Sequence, residues 1–325
     1  MRTRCAVLVA GVLVAVIPQW AQPAAKARAE SRTWTPPRTA DGDPDLEGAW
    51  TNSTITPLER PARLAGEPYL TDQAAEAYRK RFVTGQTEDR RGGGPEADGA
   101  RSYNEFWRDR GTKVIESRRT SLIVDPPDGM VPRLTPAAEK RIADAREQTR
   151  LHSTDGPEYR SLWEPCLTRG LPLVPGPYNN DFQIMQTPGY VIILREMIHD
   201  ASVIPLDGRP HVPPRIRQWM GNGRSHWEGD SLVVDTTNFS EKDNFRRSAQ
   251  NLHLTERSTR VGPDEISCGF TLDDPTTCTR PWTAQVPMSR PQGEIFEYAC
   301  QEGNYALADI LRGARAGEAA KKELK

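Results

Sequence analysis

YVIILRE (190–196), SLVVDTT (231–237), LHLTERSTRV (252–261), EISCGFTL (265–272), WTAQVPM (282–288) and EIFEYAC (294–300) are short runs rich in β-branched and aromatic residues. Turn signals separate them: Pro188-Gly189, Glu228-Gly229-Asp230, Gly262-Pro263-Asp264 and Pro291-Gln292-Gly293. Such spacing predicts strands joined by tight turns. Strands joined this way are antiparallel neighbours, because parallel pairs need long crossover connections. The expected sheet is therefore a meander from Phe182 to Cys300. With about nine or ten candidate strands, closure into a barrel removes the unpaired edges of a long open sheet. A barrel of that size encloses room for one small ligand.

Outward from this block, the N-terminus has the layout of a secretory leader. Arg2 and Arg4 precede an apolar run from Cys5 to Ile17, and alanines at 24, 25, 27 and 29 supply a small-residue exit. The reading is a signal peptide over 1–29, followed by one β-barrel domain over 30–325. No later segment approaches the roughly 18 apolar residues of a membrane span. The expectation is a periplasmic or secreted protein without stable membrane insertion after signal cleavage. Its 43 basic residues nearly match its 44 acidic ones, for a net charge of −1. That balance gives no electrostatic footprint for nucleic acid. The 28 prolines predict many extended and turn segments covering the barrel.

Export gives the cysteines a meaning, since disulfides persist in oxidising compartments. Four lie beyond the leader, Cys166, Cys268, Cys278 and Cys300, and four allow three pairings. A hairpin about Asp274-Pro275 would bring Cys268 opposite Cys278. That leaves Cys166 to pair with Cys300.

Around the strands, Asp45-Leu46-Glu47-Gly48-Ala49-Trp50 enters a first strand with the Gly-x-Trp pattern of lipocalin-like barrels. Thr71 caps a helix running to about Val83, and Thr135-Pro136 opens another. A few peripheral helices are thus expected, the last over 303–315. The glycine-laden stretch 85–104 reads as a mobile loop, and 112–125 as a hairpin or strand pair. The long irregular connection 154–181 has the length of a lid or site wall.

The order PDLEGAWTN (44–52), LIVDPPDG (122–129), FQIMQTPGYVIILREMIHDASVIPLDGRPH (182–211), HWEGDSLVVDTTNF (226–239), DDPTTCTRPWT (273–283) and EYACQEGNY (297–305) resembles a family of uncharacterised exported proteins from soil bacteria. The resemblance implies export and a single domain, and it implies no activity. The family resembled carries aromatic or polar residues at the positions of Cys268 and Cys278.

Chemistry is sought where charge falls on apolar strand faces. Tyr190, Ile192, Leu194 and Glu196 share one face, while Val191, Ile193 and Arg195 share the other, so either face carries a charge inward. Leu252, Leu254 and Glu256 share a phase, as do Ile295 and Glu297. A buried charge must be paired or face a polar cavity. His199 lies beside these carboxylates and is suited to general acid–base work. The expected catalytic set is Glu196, His199, Glu256 and Glu297. Arg195, Trp227, Asp235, Asn238 and Tyr298 complete the ligand-contacting set, with Arg195 on an anionic group. Asp235 falls beyond hairpin reach of His226, and His253 points outward if Leu252 and Leu254 point inward. Histidine spacing fits no metal motif and no nucleotide-binding loop occurs, so neither metal nor organic cofactor is expected. The functional expectation is an enzyme acting on a small, partly apolar organic molecule by hydrolysis, elimination or isomerisation. The alternative is a barrel that binds or carries such a molecule without turnover.

Overall fold

A computed structural model describes residues 34–85, 94–96, 108–242, 245–248 and 250–323. The expected signal peptide, and all of the expected mobile loop except residues 85 and 94–96, lie outside the described residues. The chain divides into compact units over 1–35 and 36–325, and the fold described here is that of the second.

Eleven antiparallel strands form one sheet. They are β1 (Gly48–Thr51), β2 (Ile123–Asp125), β3 (Asp181–Thr187), β4 (Tyr190–Arg195), β5 (Ala201–Pro205), β6 (Asn222–Glu228), β7 (Ser231–Thr237), β8 (His253–Gly262), β9 (Glu265–Asp273), β10 (Trp282–Gln285) and β11 (Met288–Ser289). The main path runs β5-β4-β3-β1-β11-β9-β8-β7-β6, and β10 joins β9 to β2. The single meander expected from Phe182 to Cys300 is split in two, β3-β4-β5 and β6-β7-β8-β9, because β5 and β6 lie at opposite ends of the path. Between them sits β1, whose Trp50 pairs with Phe182 of β3 and whose Thr51 pairs with Ser289 of β11.

The sheet curls but is not closed into a barrel. Its outer strands meet: Ser225 Oγ of β6 donates to Pro205 O of β5 at 3.1 Å. A Cβ on Gly223 would lie 3.5 Å from Ile204. No backbone ladder joins β5 to β6. The reason is visible in the connection between them: residues 206–221 hold two more proline-rich turns, so the chain leaves one edge and returns without the tight hairpin that would have registered the two strands.

One apolar cluster fills the inside of the curl, with Leu46, Trp50, Ile184, Val191, Ile204, Leu232, Val234 and Ile266. A second, around Leu254, Phe270, Leu272 and Trp282, packs β8 to β10 against β2 and the segments flanking it. Gly48 explains the Gly-x-Trp pattern. Arg290 lies 3.8 Å over the Trp50 ring, and a Cβ on Gly48, whose φ is +118°, would come within 2.5 Å of its guanidinium.

Three helices lie around the sheet among the described residues: α1 (Asp72–Gly85), α2 (Pro136–His152) and α3 (Tyr305–Glu323). Both expected caps form, Thr71 Oγ1 accepting from Ala74 N and Thr135 Oγ1 from Ala138 N, each at 3.1 Å. The last helix outruns the expected 303–315.

Two expected strands are absent. In 112–125 only Ile123–Asp125 is extended in the sheet, and EIFEYAC (294–300) is irregular. After Met288–Ser289 has closed the pairing with β1 and β9, Pro291 and Gly293 turn the chain off the sheet. Cys300 then meets Cys166 at a sulfur separation of 2.01 Å, the pairing expected. Cys268 and Cys278 are free, against expectation. Their turn is longer than a tight hairpin: β9 and β10 pair Leu272 with Trp282. This register carries Val286, whose N donates to Cys268 O at 2.8 Å, to the place proposed for Cys278.

Candidate functional site

A cleft of about 1260 Å³ opens where the 108–116 loop, the ends of β1 and β4, the segment 287–304 and one side of α3 come together. It lies outside the curl, not within it. Three carboxyl groups stand in its wall, Asp109, Asp181 and Glu196, and their oxygens all lie within 4.8 Å of one another.

Each is placed by local structure. Asp181 opens β3, opposite Thr51 at the end of β1. Glu196 follows β4 directly, and its backbone N donates to Asp181 O at 3.0 Å, which fixes the two strand ends side by side. Asp109 comes from the loop and is gripped by Asn180, whose backbone N and Nδ2 donate to its two carboxylate oxygens at 3.0 and 2.8 Å. That loop can lie so close because of Gly111: at φ +76°, a Cβ there would be 2.9 Å from the Ser53 and Thr54 backbone.

Burial holds all three carboxyls above their ordinary range. For Asp109, hydrogen bonds from Asn180 oppose the effect. For Asp181, the neighbouring Asp109 charge adds to it and a hydrogen bond with Thr51 opposes it. For Glu196, which is 7% exposed, both aspartates add to it, and the Phe296 N–H bonded to Oε1 at 3.0 Å opposes it. Like charges this close disfavour joint ionisation, which acts in the same upward direction as burial. Three oxygen donors in this arrangement also match what hard divalent cations take from carboxylates.

The expected site residues divide by location. Glu196, Glu297 and Tyr298 line the cleft. His199 is exposed beside it, with Nδ1 3.3 Å from Tyr298 O. Glu256 and Arg195 are elsewhere, facing the inside of the curl from β8 and β4. Trp227 packs against the inner apolar cluster. Asp235 lies on the outer face between His211, 2.9 Å from Oδ1, and His253, which bonds Oδ2. Asn238 is a bracket for the preceding loop, its Nδ2 donating to the carbonyls of Val212, Pro213 and Ile216 at 2.9–3.2 Å. Asp181 was within reach of sequence reading, at the end of the 154–181 connection marked as a site wall. Asp109 carried no local signal, since its role comes only from a long-range contact with Asn180.

Comparison of the chain with protein-family models, with curated proteins and with solved structures finds no match.

Proposed function

We propose that the protein is an exported enzyme that acts on a small, partly apolar organic molecule in the cleft, with the Asp109–Asp181–Glu196 cluster as its acid–base machinery. The observation that carries this reading is the sharing of one small region by three carboxyls with raised proton affinity in the wall of a large cleft. Such a cluster offers, at one pH, a protonated carboxyl to give a proton and an ionised one to take one. Glu196 is assigned as the group nearest to substrate, Asp181 and Asp109 as the neighbours that tune it, and Glu297 and Tyr298 as ligand contacts. Phe296 and Trp163 supply apolar surface in the same cleft. Hydrolysis, elimination and isomerisation all need the transfers these groups supply. The curled sheet serves as an incompletely closed, lipocalin-like scaffold, and the Cys166–Cys300 bridge supports residence in an oxidising compartment such as the periplasm.

The test is turnover of a panel of small esters, lactones and epoxides by the wild-type protein and by Glu196→Gln. Turnover that falls by about 10²–10⁴-fold in the variant, with the melting temperature nearly unchanged, is the expected outcome. Equal turnover by both proteins removes Glu196 from the chemistry. Binding of panel members to both proteins without turnover establishes the carrier alternative.

A further inference from the structure

The lining of the cleft is unequal in charge. Among the described residues it holds nine acidic side chains against four basic ones. Leaving out the Asp109–Asp181–Glu196 cluster and Glu164, which Arg160 neutralises, five acidic groups remain. Most of the basic ones are engaged. Arg290 lies over Trp50, donates to Ala49 O at 3.2 Å and stands 3.8 Å from Asp264. Arg108 and Arg110 are engaged within the protein, and Lys113 is exposed on the 108–116 loop. On the acidic side, the Glu265, Glu294 and Glu297 carboxyls have no hydrogen bond or ion pair among the described residues.

Aromatic surface lies among these carboxyls. Phe296 is 61% exposed, and its N–H donates to Glu196 Oε1 at 3.0 Å, which holds the residue beside the acidic cluster. Glu294 and Glu297, both exposed, belong to the same irregular segment, 294–300. Tyr298 and Trp163 are further rings in the cleft wall. Trp163 already takes one cation, Arg169, whose guanidinium carbon lies 4.6 Å from the ring centroid. Ring faces and carboxylates placed together suit organic cations, since both attract positive charge and the ring also covers alkyl groups.

We propose that the ligand of the cleft is an organic cation, a small protonated or quaternary amine with an apolar body, a class that rests on the cleft being the ligand site. Its charge is held between Glu297 and the Phe296 ring, and its apolar part lies against Leu307 and Ile310 of α3. An anion of the same shape would meet the carboxyls with like charge, and a neutral one would forgo the attraction. A bare divalent ion suits the wall less well. Asp109 uses both oxygens on Asn180, and Glu196 uses Oε1 on Phe296 N, whereas such ions take about six or more oxygen ligands. The cleft's volume of about 1260 Å³ also far exceeds that of an ion.

Calorimetric titration of the protein with benzyltrimethylammonium, benzyl alcohol and benzoate measures the preference without turnover. The cation is expected to bind about tenfold more tightly than benzyl alcohol, with benzoate weakest and the preference shrinking as salt is raised. Phe296→Leu keeps an apolar side chain and the N–H to Glu196 but removes the ring face. It is expected to weaken binding of the cation about fivefold and of benzyl alcohol little. Equal affinity for the three probes, equal losses in Phe296→Leu, or binding of Mg²⁺ or Ca²⁺ with none of the organic cation overturns the proposal. Turnover separates this class from the acid–base reading. Selective binding of the cation with no ester turned over supports the class and removes the chemistry. Turnover of neohexyl esters as fast as that of choline esters, their cationic isosteres, keeps the chemistry and overturns the class.

Discussion

At the scale of single residues, burial raises the proton affinity of three carboxyls gathered in the cleft wall. A carboxyl whose pKa is higher in the fold than in the open chain binds its proton more tightly when folded. It therefore stabilises the fold fully below the ordinary carboxyl value of about 4, and that contribution is lost as pH rises through the folded-state pKa. Asp109, Asp181 and Glu196 all shift this way. Melting temperatures measured from acid to neutral pH are expected to fall less steeply in Asp181→Asn and Glu196→Gln than in the wild type. Glu228 shows the opposite sign, drawn down to about 2 by hydrogen bonds from Arg257 and His226. Its contribution is present above the ordinary glutamate value and lost as pH falls toward about 2. Asn238, expected from sequence to touch ligand, instead holds three carbonyls from a left-handed backbone at φ 60°. Asn238→Ala is expected to lower unfolding free energy by about 2–4 kcal/mol in denaturant titrations, through strain and orphaned carbonyls. Glu196 was legible because strand periodicity placed a charge in an apolar phase. Its partner Asp109 was not, because nothing in a short Arg-Asp-Arg run foretells that Asn180, 71 positions later, will hold it.

At the scale of elements, the sequence reading worked wherever local chemistry decided the structure. Helix caps at Thr71 and Thr135, and the hairpins between β3 and β4, β6 and β7, and β8 and β9, follow from a few adjacent residues. It failed where long-range pairing decides. EIFEYAC alternates like a strand, but the edge it would have joined is already taken, with β11 lying between β1 and β9. That segment serves as a strap along the cleft. It is tied by Phe296 N to Glu196, by the Cys166–Cys300 bridge, and by Asn304 Nδ2 to Glu164 O at 2.7 Å. The bridge closes a loop with a sequence separation of 134, which a chain-entropy treatment equates with about 5 kcal/mol at most. Cys166→Ser/Cys300→Ser is expected to lose about 2–5 kcal/mol in denaturant titrations. A variant as stable as the wild type would show that the strap is held without its covalent tie.

At the scale of the molecule, the curled sheet keeps most of its interior for packing and carries its large cleft on the outside. The expectation of a closed barrel with the main ligand site within it rested on the tendency of long meanders to remove their edges. Here β5 and β6 approach without a ladder, while β1, threaded between β3 and β11, unites the two meanders in a single sheet. Sequence periodicity identified the strands but not this insertion, because Gly48–Thr51 is distant in the chain from both of its neighbours. The consequence for function is that strand ends and loops, rather than strand middles, assemble the acidic cluster. The proposed function rests on a proton shared among Asp109, Asp181 and Glu196, and carbon-13 NMR titration of the side-chain carboxyls tests it most directly. At least one of the three is expected to titrate above the ordinary carboxyl range, and to return toward it when a neighbour is replaced by its amide. Independent titration of all three within the ordinary range would contradict the account.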